Sequence, residues 1–106
     1  MTKSYVMVRR GVVRDAARYE EYRERIVQLL PLFGGRYLIR GEDEAHLEGE
    51  FELRRDSLLE FSSAEDRVRF WNSEEYAQLK SLRAGAVDVD VVALEGYEES
   101  SEEDVK

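Results

Sequence analysis

Gly34-Gly35-Arg36-Tyr37-Leu38-Ile39-Arg40-Gly41 is the stretch on which the fold turns. A glycine pair ends a helix, and the residues after it predict a strand over Arg36–Gly41. Strand side chains alternate between faces, so Arg36, Leu38 and Arg40 are expected on one face. Two guanidinium groups on a sheet face require acidic or anionic company. This strand is the second of four.

Upstream, Ser4–Arg10 alternates as a first strand, and Gly11–Arg14 connects it to a helix that Asp15 is placed to cap. The helical stripe runs through Tyr19, Tyr22 or Arg23, Ile26, Leu30 and Phe33, with Pro31 making its last turn kinked or non-α. Downstream, Glu42–Ala45 is too polar to bury, and Leu47–Leu53 is expected to lengthen the ribbon. Asp56–Phe61 is strand three, with Leu58 and Glu60 on one face and Leu59 and Phe61 on the other. A capping box at Ser62–Asp66 opens a helix that turns Ala64, Val68 and Trp71 to one side. Asn72 interrupts it and Ser73 caps a further segment with Tyr76, Leu79, Leu82 and Ala86 inward. Gly85 marks the end, and Val87–Glu95 is the last strand.

The order β-α-β-β-α-β predicts an α+β, ferredoxin-like sandwich: one antiparallel sheet with its helices on one face. Strand four is apolar on both faces from Val91 onward, so the second sheet face also expects cover. With no third helix to provide it, a second copy of the chain is the simplest cover, giving a homodimer that buries more than about 1,000 Å².

Composition narrows the functional classes. At 106 residues the chain is one domain, and folding buries roughly two-thirds of the unfolded surface. Residues 1–96 form the domain and 97–106 an acidic tail expected to be disordered, with Glu98, Glu99, Glu102, Glu103 and Asp104 around Lys106. A net charge of −8 argues against nucleic-acid binding. The absence of cysteine removes disulfides and thiolate chemistry and fits a reducing cytoplasm. No run approaches the roughly 20 apolar residues of a membrane span. His46, the only histidine, has acidic neighbours but no second His or Cys to set a ligand spacing, so it reads as a solvated loop residue, and no metal or cofactor is expected.

The motifs Gly35-Arg36-Tyr37-Leu38-Ile39-Arg40-Gly41, Leu47-Glu48-Gly49, Leu59-Glu60-Phe61, Trp71-Asn72-Ser73-Glu74-Glu75-Tyr76 and Leu82-Arg83 stand in an order and spacing that resembles the family called domain of unknown function 1330, over residues 4–96. The family places proline after the Glu-Phe pair and before Glu-Tyr. Here Ser62 and Glu74 stand there, at helix starts where the change acts on capping more than on chemistry. The resemblance implies a dimeric α+β barrel, in which two ferredoxin-like subunits pack their sheets together. Its superfamily relatives include cofactor-independent oxygenases, muconolactone isomerases and stress-responsive or haem-handling proteins, a likeness of fold that assigns no chemistry by itself.

Arg36, Arg40 and Glu60 form the sharpest constellation. They read either as an anion clamp with Glu60 as a weak candidate catalytic base, or as an ion pair that fixes register, and the second reading is preferred because a guanidinium lowers the pKa of an adjacent carboxylate. Trp71, Asn72 and Tyr76 sit at the helix break, where they either line a cavity or pack the core, and Tyr19 is the upstream tyrosine placed to approach the sheet. The leading expectation is a pocket between helix and sheet that binds a small anionic or aromatic metabolite through Arg36, Arg40, Trp71, Asn72, Tyr76 and Tyr19. The alternatives are a cofactor-free oxygenase-like or isomerase-like enzyme, and a structural dimer with no ligand.

Overall fold

The computed structural model describes residues 2–41, 44–50 and 55–97. Strand β1 (Ser4–Val13) is followed by helix α1 (Ala16–Leu29), a 3₁₀ turn (Leu30–Phe33), strands β2 (Gly35–Ile39) and β3 (Arg55–Phe61), helices α2 (Ala64–Trp71) and α3 (Glu74–Arg83), and strand β4 (Val87–Glu95). The sheet has the order β2-β3-β1-β4, with every neighbouring pair antiparallel. This is the α+β, ferredoxin-like arrangement.

Local chemistry sets the element ends. Asp15 caps α1 by accepting from the Arg18 amide at 3.1 Å. Pro31 occupies the first positions of the 3₁₀ turn, where its missing N–H costs nothing. Gly34 then takes φ 71°, the left-handed conformation that closes the helix. Gly35 is required for a different reason: a Cβ there would lie 2.6 Å from Phe61 Cε1 and 3.2 Å from a Leu30 methyl. The glycine pair thus lets β2 pass directly over the core. Ser63, rather than Ser62, caps α2, while Ser62 Oγ donates to the Asp66 carboxylate at 2.6 Å. Ser73 accepts from the Tyr76 amide and restarts the helix as α3. Arg18 of α1 donates to the free carbonyls of Ser81 and Ala84 at the end of α3 and so ties the two helices together.

The core lies between the helices and one face of the sheet, where Val6, Ile26, Leu30, Leu59, Phe61, Phe70, Tyr76 and Leu79 are buried. Three sequence expectations are corrected. Leu47–Glu50 forms no strand and Leu47 is exposed; residues 51–53 of that expected extension lie outside the described residues. β1 continues to Val13 because the β4 ladder carries on past an irregularity to pair Val13 with Val87. In α2 the buried residue is Phe70, and Val68 is exposed. The acidic end at 98–106 lies outside the described residues.

Candidate functional site

Register divides the candidate residues between the two faces of the sheet. In the β2–β3 ladder Arg36 pairs with Glu60 and Tyr37 with Leu59, but Ile39 pairs with Leu58, so a bulge at Leu38 inserts one extra residue. Alternation is broken there, and Arg40 falls on the helix side while Arg36 stays on the open side. The expectation that Arg36, Leu38 and Arg40 share a face is therefore wrong. A bulge cannot be seen in a run of five residues with no partner strand to count against.

On the open face Arg36 Nε donates to Glu60 Oε1 at 2.9 Å, the Tyr5 hydroxyl donates to Oε2 at 3.2 Å, and Lys3 Nζ stands 3.6 Å away. The Glu60 side chain is 12% exposed against 67% for Arg36. The Arg36 hydrogen bond holds the Glu60 pKa below the usual carboxylate value, against the raising effect of burial and with help from Lys3. Burial and the adjacent carboxylate raise the Tyr5 pKa. Two hydrogen-bond donors and the nearby Lys3 ammonium favour the charged carboxylate, and the group forms an ion-pair network that joins β2 to β3.

On the other face α1, α3 and the sheet enclose a cleft walled by Tyr19, Tyr22, Tyr37, Trp71, Tyr76 and Arg83. At its centre the Tyr22 and Tyr76 hydroxyls are 2.9 Å apart, and Arg83 Nη2 donates to the Tyr76 hydroxyl at 3.3 Å. Burial and the neighbouring phenol push the Tyr22 pKa far above its ordinary value. Burial alone would lower the Arg83 pKa, but the Tyr76 and Tyr22 oxygens outweigh it and raise it. Tyr22 and Arg83 join this site only through tertiary packing. Their spacing of 61 positions hides a contact that exists only once α1 and α3 pack.

Trp71 lines the cleft with its indole under Lys80 Nζ, 4.2 Å from the ring centroid. It also lines a second groove of about 220 Å³ with Arg67, Val91, Val92 and Ala93, beside edge strand β4. Trp71, with Val6 and Val91, thus lines both cleft and groove. Asn72 is exposed and ends α2 through its backbone, donating to the Phe70 and Val68 carbonyls, and it lines neither space. Arg40 stacks on Tyr37 at 4.4 Å instead of meeting Glu60. The structure therefore brings Tyr19, Trp71 and Tyr76 together, sets Arg40 in a neighbouring hollow that also touches Tyr19, and leaves Arg36, Glu60 and Asn72 outside the cleft. Among the described residues no group of three or more His, Asp or Glu is placed to hold a metal, and no helix is long and apolar enough to cross a membrane.

Tyr37 supplies a pH prediction. Its folded pKa is pushed up to about 12, chiefly by burial, against about 10 in an unfolded chain. Between those values the unfolded state has released a proton that the folded state keeps, so stability falls as pH rises through that window. The expected loss is about 2–3 kcal/mol. Urea midpoints measured across that window test it, with Tyr37→Phe giving the flatter profile. Equal slopes for both proteins would show that Tyr37 ionises alike folded and unfolded.

Topology and cleft together define an α+β, ferredoxin-like domain with an aromatic cleft between helices and sheet. The chain belongs to the family described as domain of unknown function (DUF1330), whose model matches residues 3–97. Among solved structures it is similar to "Crystal structure of methylated RPA0582 protein", with TM-score 0.69, 17% identity, and coverage of 95% of this chain and 86% of that one. It is also similar to the RPA0582 protein of unknown function from Rhodopseudomonas palustris, with TM-score 0.67, 19% identity, and coverage of 91% and 84%. At these identities the likeness is one of fold. No curated protein matches the chain.

Proposed function

We propose that this protein is a homodimer whose subunits each bind a small anionic or aromatic metabolite in the helix–sheet cleft. The observation that carries the ligand reading is the Tyr22–Tyr76–Arg83 cluster, a set of polar groups converging inside an aromatic wall. Binding sites are mostly apolar surfaces with a few placed polar groups, and this cleft has that composition. Its free volume is about 30 Å³, close to that of one water, so a metabolite enters by displacing a wall. Trp71 is that wall: moving its indole joins the cleft to the 220 Å³ groove outside. A planar ligand would stack on the indole and extend its acidic group toward Arg83 or Arg67.

Support for the dimer comes from the open sheet face. Met7 stands between Leu58 and Val92, and Tyr5 is paired with Leu94, so apolar side chains line up across three strands, with no helix over them among the described residues. A second copy presents the same set and covers it by two-fold symmetry.

Trp71 is the only tryptophan, so emission from the protein reports on this site alone. Titrating aromatic carboxylic acids while following Trp71 fluorescence, with thermal melts in parallel, is the test. A true ligand changes the emission, and at ~100 times its dissociation constant adds about 2.7 kcal/mol of stability. If a panel of such acids leaves both emission and melting unchanged, the ligand reading fails and a structural dimer remains.

A further inference from the structure

The cluster at the centre of the cleft is one acceptor short. Each phenol of the Tyr22–Tyr76 pair carries a proton, and two hydroxyls 2.9 Å apart can use only one of them, whichever ring donates. Arg83 Nη2 donates to the Tyr76 oxygen, and a guanidinium accepts nothing. Among the described residues no other acceptor meets either hydroxyl. Tyr22 is 7% exposed and Tyr76 3%, so the leftover proton is buried, and a buried donor without an acceptor is costly. Burial and the neighbouring phenol keep Tyr22 protonated. Burial works against the Arg83 charge, but the two phenol oxygens preserve it, so both groups stay donors at neutral pH. No Asp, Glu or His stands among the described residues that line the cleft to take up the surplus.

We propose, on the basis that this cleft is the binding site, that the Tyr22–Tyr76–Arg83 cluster is a cradle for a single oxyanion and that the ligand's acidic group is a hydroxyl on its planar ring, a phenol or enol bound as its anion. A neutral phenol would add another proton to a site that lacks an acceptor, whereas the anion brings lone pairs and no proton. A carboxylate fits less well because it brings two oxygens. The donors meet at one place, the Tyr76 oxygen, and the free space of about 30 Å³ holds one oxygen. Beside it the wall is apolar: the Phe70 ring lies 4.4 Å from that of Tyr76, with Ile26 and Leu59 in the same core. A second oxygen pressed on that wall would lose its hydration with no donor in return. The charge of a phenolate or enolate spreads into its ring, which has the aromatic sides of Tyr19, Tyr37 and Trp71 to lie on.

The test is an absorbance titration of the full chain with para-nitrophenol, whose anion is yellow, just below the pH at which the free phenol ionises. One anion per chain is expected. The yellow band grows on binding, because the anion binds at least about tenfold tighter than the neutral phenol. Para-nitrobenzoate, the same ring with a carboxylate, binds about tenfold more weakly by calorimetry, the value of a lost hydrogen bond between charged groups. Tyr22→Phe combined with Tyr76→Phe keeps both rings and melts close to wild type, since surplus proton and partner leave together, but loses the preference for the anion. Arg83→Met weakens the anion by about tenfold or more and leaves the neutral phenol unchanged. Arg25→Gln, an equal charge change at an exposed position of α1, changes neither. Nitrobenzoate binding as tightly as nitrophenolate, bound nitrophenol staying colourless, or a double variant that keeps the anion preference overturns the oxyanion cradle and leaves the cleft a binding site. Neither probe binding removes the cleft itself, and the cradle with it.

Discussion

Phe70→Ala is expected to cost about 3–5 kcal/mol, the range for emptying a buried aromatic position. Phe70 is 2% exposed and is the hub of the aromatic core. Its ring centroid lies 4.4 Å from that of Tyr76, 5.2 Å from Phe61 and 5.8 Å from Phe33. These rings belong to α3, β3 and the 3₁₀ turn, so the elements that would have to move to fill the cavity are held by three different parts of the fold. Gly35 packs against the Phe61 ring, where an added Cβ would stand 2.6 Å from Cε1, so β2 already sits close on that side. A domain of this size has only about 5–15 kcal/mol of net stability, so the variant should sit close to unfolding at ordinary temperature. Urea denaturation at fixed pH measures the loss. A loss below about 1 kcal/mol would mean that the site collapses freely and the aromatic cluster is not what holds α2 to the sheet. The same variant loosens Tyr76, so it should also perturb Trp71 emission, since the two rings lie 5.3 Å apart.

Phe70 also marks where sequence reading stops. The order of elements was legible because it rests on strong local signals: the Asp15 and Ser73 caps, the Gly34-Gly35 stop, and the alternation of Val87–Glu95. The pairing of Arg36 with Glu60 was legible for a related reason, since a guanidinium and a carboxylate on adjacent strands seek each other. The phase of α2 was not. Eight residues give barely two turns, and a stripe through Ala64, Val68 and Trp71 fits such a short helix as well as one through Phe70. Tertiary contact with Phe61 and Tyr76 decides between them. The site was harder still. One inserted residue at Leu38 sends Arg40 to the opposite face from Arg36, and the phenol pair Tyr22–Tyr76 requires helices distant in sequence to pack. Arg10 and Arg55 show the same limit: each looks like an ordinary surface charge until β1 and β3 are aligned and place them side by side.

Leu94→Arg is expected to convert the proposed dimer into a folded monomer. Leu94 is 43% exposed and Val92 50% in the single chain, so a charge at position 94 finds water there and leaves the fold intact. In a two-fold interface across this face the substitution occurs twice, and each guanidinium is carried into an apolar patch. An uncompensated buried charge costs about 3–5 kcal/mol, which for two sites raises the dissociation constant by at least about a thousandfold. Glu60 offers no rescue, because Arg36, Tyr5 and Lys3 already occupy its oxygens. Sedimentation velocity at micromolar concentration should therefore give a dimer for wild type and a monomer for Leu94→Arg, with unchanged circular dichroism. Leu32→Arg makes the comparison sharp: Leu32 is 74% exposed in the 3₁₀ turn after α1, away from the open sheet face, and the same charge there should leave the dimer intact. A wild-type monomer would leave the apolar face uncovered and remove the dimer. Dissociation by Leu32→Arg but not by Leu94→Arg would move the interface to the helical side of the molecule, where it would close over the aromatic cleft instead of lying behind it.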